Sequence, residues 1–146
     1  MHAETPFSTA PARGVIDGDT HRYPLRVYYE DTDAGGIVYY ANYLKFMERA
    51  RSEWLRSRGV DLAVLAHNED AMFVVRSANL EFLRPARLSD DLEVSVQVAH
   101  QRPASVELSQ AVTRSGEALC TGVVRLACIN IRTARPRPLP AFFEDE

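Results

Sequence analysis

Hydrophobic and polar positions along the chain change their period twice, and those changes outline the elements. From His21 to Tyr29 apolar Tyr23, Leu25, Val27 and Tyr29 alternate with Arg22, Pro24, Arg26 and Tyr28, which predicts a strand. Pro24 lacks an N–H and so places the start of that strand at an edge. After the run Glu30-Asp31-Thr32-Asp33-Ala34-Gly35-Gly36 the period lengthens. Tyr43, Leu44, Phe46, Met47, Ala50, Trp54 and Leu55 fall on one broad helical face, predicting a helix from Asn42, a good N-cap, to Arg58, stopped by Gly59. Lys45, Glu48, Arg49, Arg51, Ser52 and Arg56 fill much of the opposite face. A shorter helical segment is expected at Asp61–His67.

Beyond Asn68-Glu69-Asp70 the period returns to two. Strands are expected at Ala71–Leu83, bent near Ser77, at Leu92–Val98, at Ser105–Arg114 and at Ala118–Ile131. Ser115-Gly116 is a hairpin signal between the last two. Residues Gly122–Ile129 are apolar on both faces, as in a central or interface strand. The pattern therefore gives an α+β domain, about five strands with one long helix near its start. Such a sheet wrapped around one helix keeps an open edge, which a second copy can close. Residues 1–20 read as a mobile arm, 21–132 as the folded domain, and the Pro-rich, acidic 133–146 as a tail outside the core.

Composition narrows the function. At 146 residues with a net charge of −3 the chain is one ordinary domain without the basic footprint of a nucleic-acid binder. No apolar stretch reaches membrane-spanning length, and Met1–Thr20 lacks a signal-peptide core, so a cytoplasmic protein is expected. Cys120 and Cys128 lie in an apolar run and read as buried free thiols, and the scattered histidines give no zinc spacing.

The chemistry concentrates in the acidic Gly-Gly turn and the helix after it. Asp33 offers a carboxylate, the glycines allow close backbone approach, and the helix start offers N–H groups without intrahelical partners. That layout suits a carbonyl held by N–H donors and attacked with help from a base. The same acids could simply serve the turn. Asp31 with Asp33 could also hold Mg²⁺, although no phosphate-cradling loop accompanies them. Tyr39, Tyr43, Phe46 and Trp54 could line an acyl pocket or belong to the core.

The stretch from Val27-Tyr28-Tyr29-Glu30-Asp31-Thr32-Asp33 through Tyr39-Tyr40-Ala41-Asn42-Tyr43 to Glu48-Arg49-Ala50-Arg51 resembles the signature of hotdog-fold acyl-CoA thioesterases. Within them it is similar to the 4-hydroxybenzoyl-CoA thioesterase type, and most of all to the Tol–Pal-associated acyl-CoA thioester hydrolases. Asn79-Leu80-Glu81-Phe82-Leu83-Arg84-Pro85-Ala86 and Asp90-Asp91-Leu92 fit the same pattern. The resemblance covers about residues 21–132 and implies a hotdog fold, a homodimer or homotetramer, and hydrolysis of an acyl-CoA without metal or organic cofactor. It implies that Asp33 attacks the thioester or activates a water, and that the Tyr40 backbone N–H polarises the carbonyl. Several Tol–Pal-associated relatives carry His where this chain has Tyr40. It further implies a contact between Arg102, in a turn between strands, and the coenzyme A phosphates; a solvated turn arginine is the alternative. A second lineage of the fold uses a helix Glu, and Glu48 is such a residue here unless it is a surface charge pairing with Arg51. Two other functions fit the fold: a scaffold that binds acyl-CoA or acyl carrier protein alongside lipid-synthesis enzymes, and a dehydratase, which would want a His that the helix start lacks.

Overall fold

The computed structural model describes residues 11–140. Six strands form one antiparallel sheet: β1 (Val15–Asp17), β2 (Thr20–Arg26), β3 (Ala71–Phe82), β4 (Asp91–Gln101), β5 (Ser105–Arg114) and β6 (Glu117–Asn130), in the order β1-β2-β4-β5-β6-β3. Two helices, α1 (Asn42–Ser57) and α2 (Leu62–Glu69), lie between β2 and β3 in the chain, and α1 packs on β2, β4 and β5.

The sheet has one strand more than the sequence pattern suggests. The extra one, β1, comes from the stretch expected to be an arm, whose first ten residues lie outside those described. It pairs with β2 only as far as Arg22, so Pro24 sits where β2 has lost its outer neighbour and its missing N–H interrupts no ladder. Tyr28 and Tyr29, expected on that strand, have left it: residues Tyr29–Asp31 form a single 3-10 turn. At the other end, the expected tail joins the body. Arg137 N–H donates to Cys128 O, Leu139 N–H to Pro103 O, and the Leu139 side chain is buried in the core. A Pro-rich segment cannot add a regular strand, but it can lay one apolar side chain over a gap.

Helix α1 forms because one side of it is apolar but for a single residue, Arg51. Tyr43, Phe46, Met47, Ala50, Trp54 and Leu55 are buried against the sheet, each large side chain stabilising the fold by roughly 1.5–3 kcal/mol. It ends at Gly59, whose φ of 88° suits a residue without Cβ. Gly59 N–H then reaches Arg56 O at 3.0 Å and Val60 N–H reaches Leu55 O at 2.9 Å, a Schellman closure. The start differs from expectation. Ala41, not Asn42, caps the helix, and the Asn42 amide turns back to donate to Asp31 O at 2.8 Å. In α2 the cap is Asp61, whose carboxylate accepts from Ala63 and Val64 N–H.

Strand β6 is interior, between β5 and β3, which explains its apolar run. The β5–β6 hairpin turns at Ser115 (φ 50°) and Gly116 (φ 82°), both left-handed as a two-residue type I′ turn requires. Long β3 is bent by a register shift between Val75 and Ser77, and among the described residues it pairs only with β6. Cys120 and Cys128 are buried free thiols, and burial pushes the Cys120 thiol up to about 11.

Candidate active site

The segment between β2 and α1 is strapped to the β3–β4 connection. Val27 N–H donates to Asp90 O at 2.9 Å and Ser89 N–H returns to Val27 O at 3.0 Å. Asp90 holds this connection in shape: its carboxylate accepts from Arg87 N–H and pairs with Arg114 at 2.8 Å. Burial alone would raise the Asp90 carboxyl, but those donors outweigh it and hold the group below its ordinary value.

Asp31 and Asp33 are two residues apart and do different things. Asp31 is 9% exposed; its carboxylate accepts from Tyr28 N–H at 2.8 Å, and its carbonyl accepts from Tyr39 N–H and the Asn42 amide. It is the pin of the turn. Asp33 is exposed at the mouth of a tight loop closed by a Thr32–Val38 bridge, Asp33 N–H to Ile37 O (2.9 Å) and Gly36 N–H to Asp33 O (3.1 Å). Its Oδ1 accepts from Gly35 N–H at 2.8 Å, which fixes the carboxylate and leaves Oδ2 free of any partner among the described residues. Gly36, with φ of 80°, makes the turn possible. The loop's far side is tied down by Val38 N–H to Ala86 O and an Ile37–Arg87 bridge.

Tyr40 follows immediately. Tyr39 N–H goes to Asp31 O, Asn42 N–H to Tyr39 O and Tyr43 N–H to Tyr40 O, so the turn's bonds pass the Tyr40 N–H by. Among the described residues that donor has no acceptor, at the positive end of α1. The Tyr40 ring is 61% exposed and meets Phe82 edge-on at a centroid distance of 6.0 Å. Phe82 in turn contacts Tyr43 at 5.6 Å, and the Tyr43 hydroxyl accepts from Ala86 N–H at 3.0 Å. These rings, with Ile37, Val38 and Leu83, border a cavity of about 240 Å³. An open N–H donor, a fixed carboxylate and an apolar hollow thus share one loop and one helix start.

Arg102 is not there. It lies exposed in the β4–β5 turn, its N–H bonded to Ser105 O. Strand β4 runs from Asp91, beside the Asp33 loop, to Gln101, so within one chain the two residues are separated by a strand of roughly 35 Å. Glu48 is exposed on α1 and accepts from Ser52 Oγ at 2.7 Å, one turn on, instead of pairing closely with Arg51. Arg51, expected on the polar face, is buried, and its Nη1 donates to Gln110 Oε1 at 3.0 Å. The sequence held the signal: Arg51 is four residues after Met47 and three before Trp54, on the apolar stripe itself.

Residues 35–121 match the model of the thioesterase superfamily. The chain belongs to that superfamily. Among its relatives, the acyl-CoA thioester hydrolase YbgC of Escherichia coli O6:H1 is 41% identical over 120 residues, 82% of this chain and 89% of that protein. A 1,4-dihydroxy-2-naphthoyl-CoA hydrolase of a Synechocystis strain is 30% identical over 125 residues, 83% of this chain and 89% of that protein. A probable thioesterase from Bartonella henselae superposes with a TM-score of 0.79 at 37% identity, covering 83% of this chain and 99% of its own. The α+β hotdog architecture expected from the sequence is the one this thioesterase has, an antiparallel sheet with the long helix packed against it. The superfamily match starts two residues after Asp33 and does not include that carboxylate.

Proposed function

We propose that this thioester hydrolase cleaves an acyl-CoA to a free acid and coenzyme A, with the Asp33 carboxylate and the Tyr40 N–H acting on the carbonyl from opposite ends of one loop. The observation that supports it is the pairing of an unengaged backbone donor at a helix start with a carboxylate fixed by Gly35 N–H. Acting as a base, Asp33 takes a proton from water while the water oxygen bonds to the thioester carbon. The electron pair moves to the carbonyl oxygen and is held by the Tyr40 N–H, a type of donor typically worth ~10²–10³ in rate. Collapse breaks the C–S bond and the proton passes to the leaving thiolate. Acting as a nucleophile, Asp33 instead forms a mixed anhydride as the C–S bond breaks, and water then cleaves it. The apolar hollow bordered by Tyr40, Tyr43 and Phe82 suits the atoms next to the carbonyl.

Arg102 is assigned to the coenzyme A phosphates of a site in a second copy, since its own Asp33 is a strand-length away. The open edge of β3 is where that copy joins, giving a homodimer or a tetramer built from such dimers.

The test is thiol release from short, long and aromatic acyl-CoAs by wild type and Asp33→Asn. Turnover by wild type that falls ~10²-fold or more in the mutant is expected. Undiminished turnover in Asp33→Asn sinks the assignment of Asp33. Binding of acyl-CoA without turnover on any chain length would replace hydrolysis by a scaffold role.

A further inference from the structure

A second cavity, of about 380 Å³, opens beside α1 beyond the Asp33 loop. Leu44, Val75, Ala78 and Val124 form apolar walls, and Lys45, Glu48 and Arg51 reach it from the helix. Arg51 is the unusual member. It is 7% exposed, and one of its nitrogens, Nη1, is held by Gln110 Oε1. Gln110 is itself only 2% exposed and is held by Met47 O through its Nε2 at 3.1 Å. The guanidinium is therefore anchored at Nη1 by a buried amide whose own Nε2 is held by the helix backbone. Among the described residues no carboxylate lies within ion-pair distance of it, and Glu48 acts on it only through space. A buried cation without a counter-ion is costly, and an arginine fork held on one side presents its remaining N–H donors in the geometry that matches a carboxylate. Burial lowers the affinity of Arg51 for its proton, but an arginine keeps its charge in proteins.

The cavity is aligned with the proposed reaction centre. Leu44, Glu48 and Arg51 follow one another along the same side of α1, which starts two residues after Tyr40, and Arg51 lies roughly 14 Å beyond Asn42 along the helix axis. The volume is in the range of small-ligand sites, and Leu44, Val75, Ala78 and Val124 give it an apolar lining beside the charged Lys45, Glu48 and Arg51. We propose that Arg51, positioned by Gln110, receives an anionic end group on the acyl chain, so that ω-carboxyacyl thioesters are preferred to plain acyl thioesters of equal length. Lys45 adds a second positive charge at the same wall and Glu48 one negative charge, so the site as a whole favours a single carboxylate. This specificity rests on the hydrolase reading above.

The experiment compares suberoyl-CoA with octanoyl-CoA, and adipoyl-CoA with hexanoyl-CoA, in wild type, Arg51→Met and Arg51→Lys. Binding of free suberate against octanoate is followed in parallel by calorimetry, and molar mass by light scattering. Wild type is expected to favour one of the ω-carboxy substrates at least tenfold in kcat/KM. Arg51→Met should abolish that preference, lowering the ω-carboxy substrate far more than the plain one, and Arg51→Lys should restore part of it. Suberate should bind to wild type more tightly than octanoate does, and to Arg51→Met no better. A wild type that prefers plain acyl chains at both lengths overturns the inference. So does Arg51→Met lowering both substrate classes equally, or changing molar mass with selectivity intact; the last outcome would make the cation a subunit contact. If no thioester is turned over, the hydrolase reading fails while the suberate titration still decides the role of Arg51.

Discussion

At the scale of single residues, the candidate site separates groups whose side chain matters from those whose backbone matters. The proposed contribution of Tyr40 is an N–H, so Tyr40→Phe should keep kcat/KM within a few-fold of wild type; the ring's edge contact with Phe82 survives that change. Gly35 is the opposite case. A Cβ there would stand 3.2 Å from Asp33 Oδ1, with nothing else crowding it. Gly35→Ala should therefore push the carboxylate by a few tenths of an ångström and cost ~10-fold or more in kcat, since small misplacements at a reacting group are expensive. Its thermal midpoint should move little. Steady-state kinetics beside a melting curve check both variants, and a fall in stability that matches the fall in rate would show that Gly35 serves the loop and not the carboxylate.

At the scale of elements, the period of the pattern was a good guide wherever one face of an element is buried along its whole length. Strands β4 to β6, helix α1 and the Ser115-Gly116 turn all follow it closely. It failed where a short contact decides the structure. Three residues of β1 are too few to show a period, and Leu139 is one apolar side chain among prolines. Asn42 looked like a cap because its type favours that role, yet the Asp31 carbonyl across the turn, which also accepts from Tyr39 N–H, captured its amide. The proposed role of Asp33 drew most of its weight from a long motif, because the loop around it is closed by backbone bonds that no side-chain pattern encodes. Arg51 was misplaced because a charge on a stripe was read as a surface residue.

The β1–β2 hairpin carries a testable consequence of its own. Gly14 has φ of 106° and approaches so closely that a Cβ would meet Arg22 O at 2.5 Å and His21 Cε1 at 2.8 Å. Beneath it His21 is buried, with Nδ1 lacking a partner. Burial lowers its pKa below 6.5, against a smaller opposing pull from the Arg13 backbone and from Glu53 of α1, whose carboxylate also accepts the Arg13 N–H at 2.7 Å. A lowered histidine pKa means that the folded chain binds fewer protons than the unfolded one. Its contribution is complete above the unfolded value of 6.5 and is lost as pH falls toward the folded value. Urea midpoints should thus decline from pH 7.5 to pH 5, and His21→Phe should flatten that decline; an unchanged slope would place the titrating group elsewhere.

At the scale of the whole molecule, the proposed assembly of two copies rests on an edge of the sheet and on the spacing of two residues. Strand β3 is twelve residues long, and among the described residues one of its edges has no neighbour; Val75 and Phe82 stand exposed along it. An edge of that length and composition invites pairing with another copy. The proposed substrate contacts point the same way, because Asp33 and Arg102 sit at opposite ends of β4 and one acyl-CoA is asked to meet both. If each site takes Asp33 from one copy and Arg102 from the other, two defective chains can repair one another. In a hybrid of Asp33→Asn and Arg102→Ala subunits, one site joins an intact Asp33 to an intact Arg102 while the other receives both changes. Mixed at equal amounts with free exchange, half the dimers are hybrids, so about a quarter of the wild-type sites should return. Assayed at acyl-CoA concentrations well below KM, where the Arg102→Ala parent is weak, this recovery is distinct from the sum of the parents. Activity no greater than that sum, in a mixture whose exchange is verified by mass spectrometry, would place both residues in the same chain's site or remove Arg102 from it.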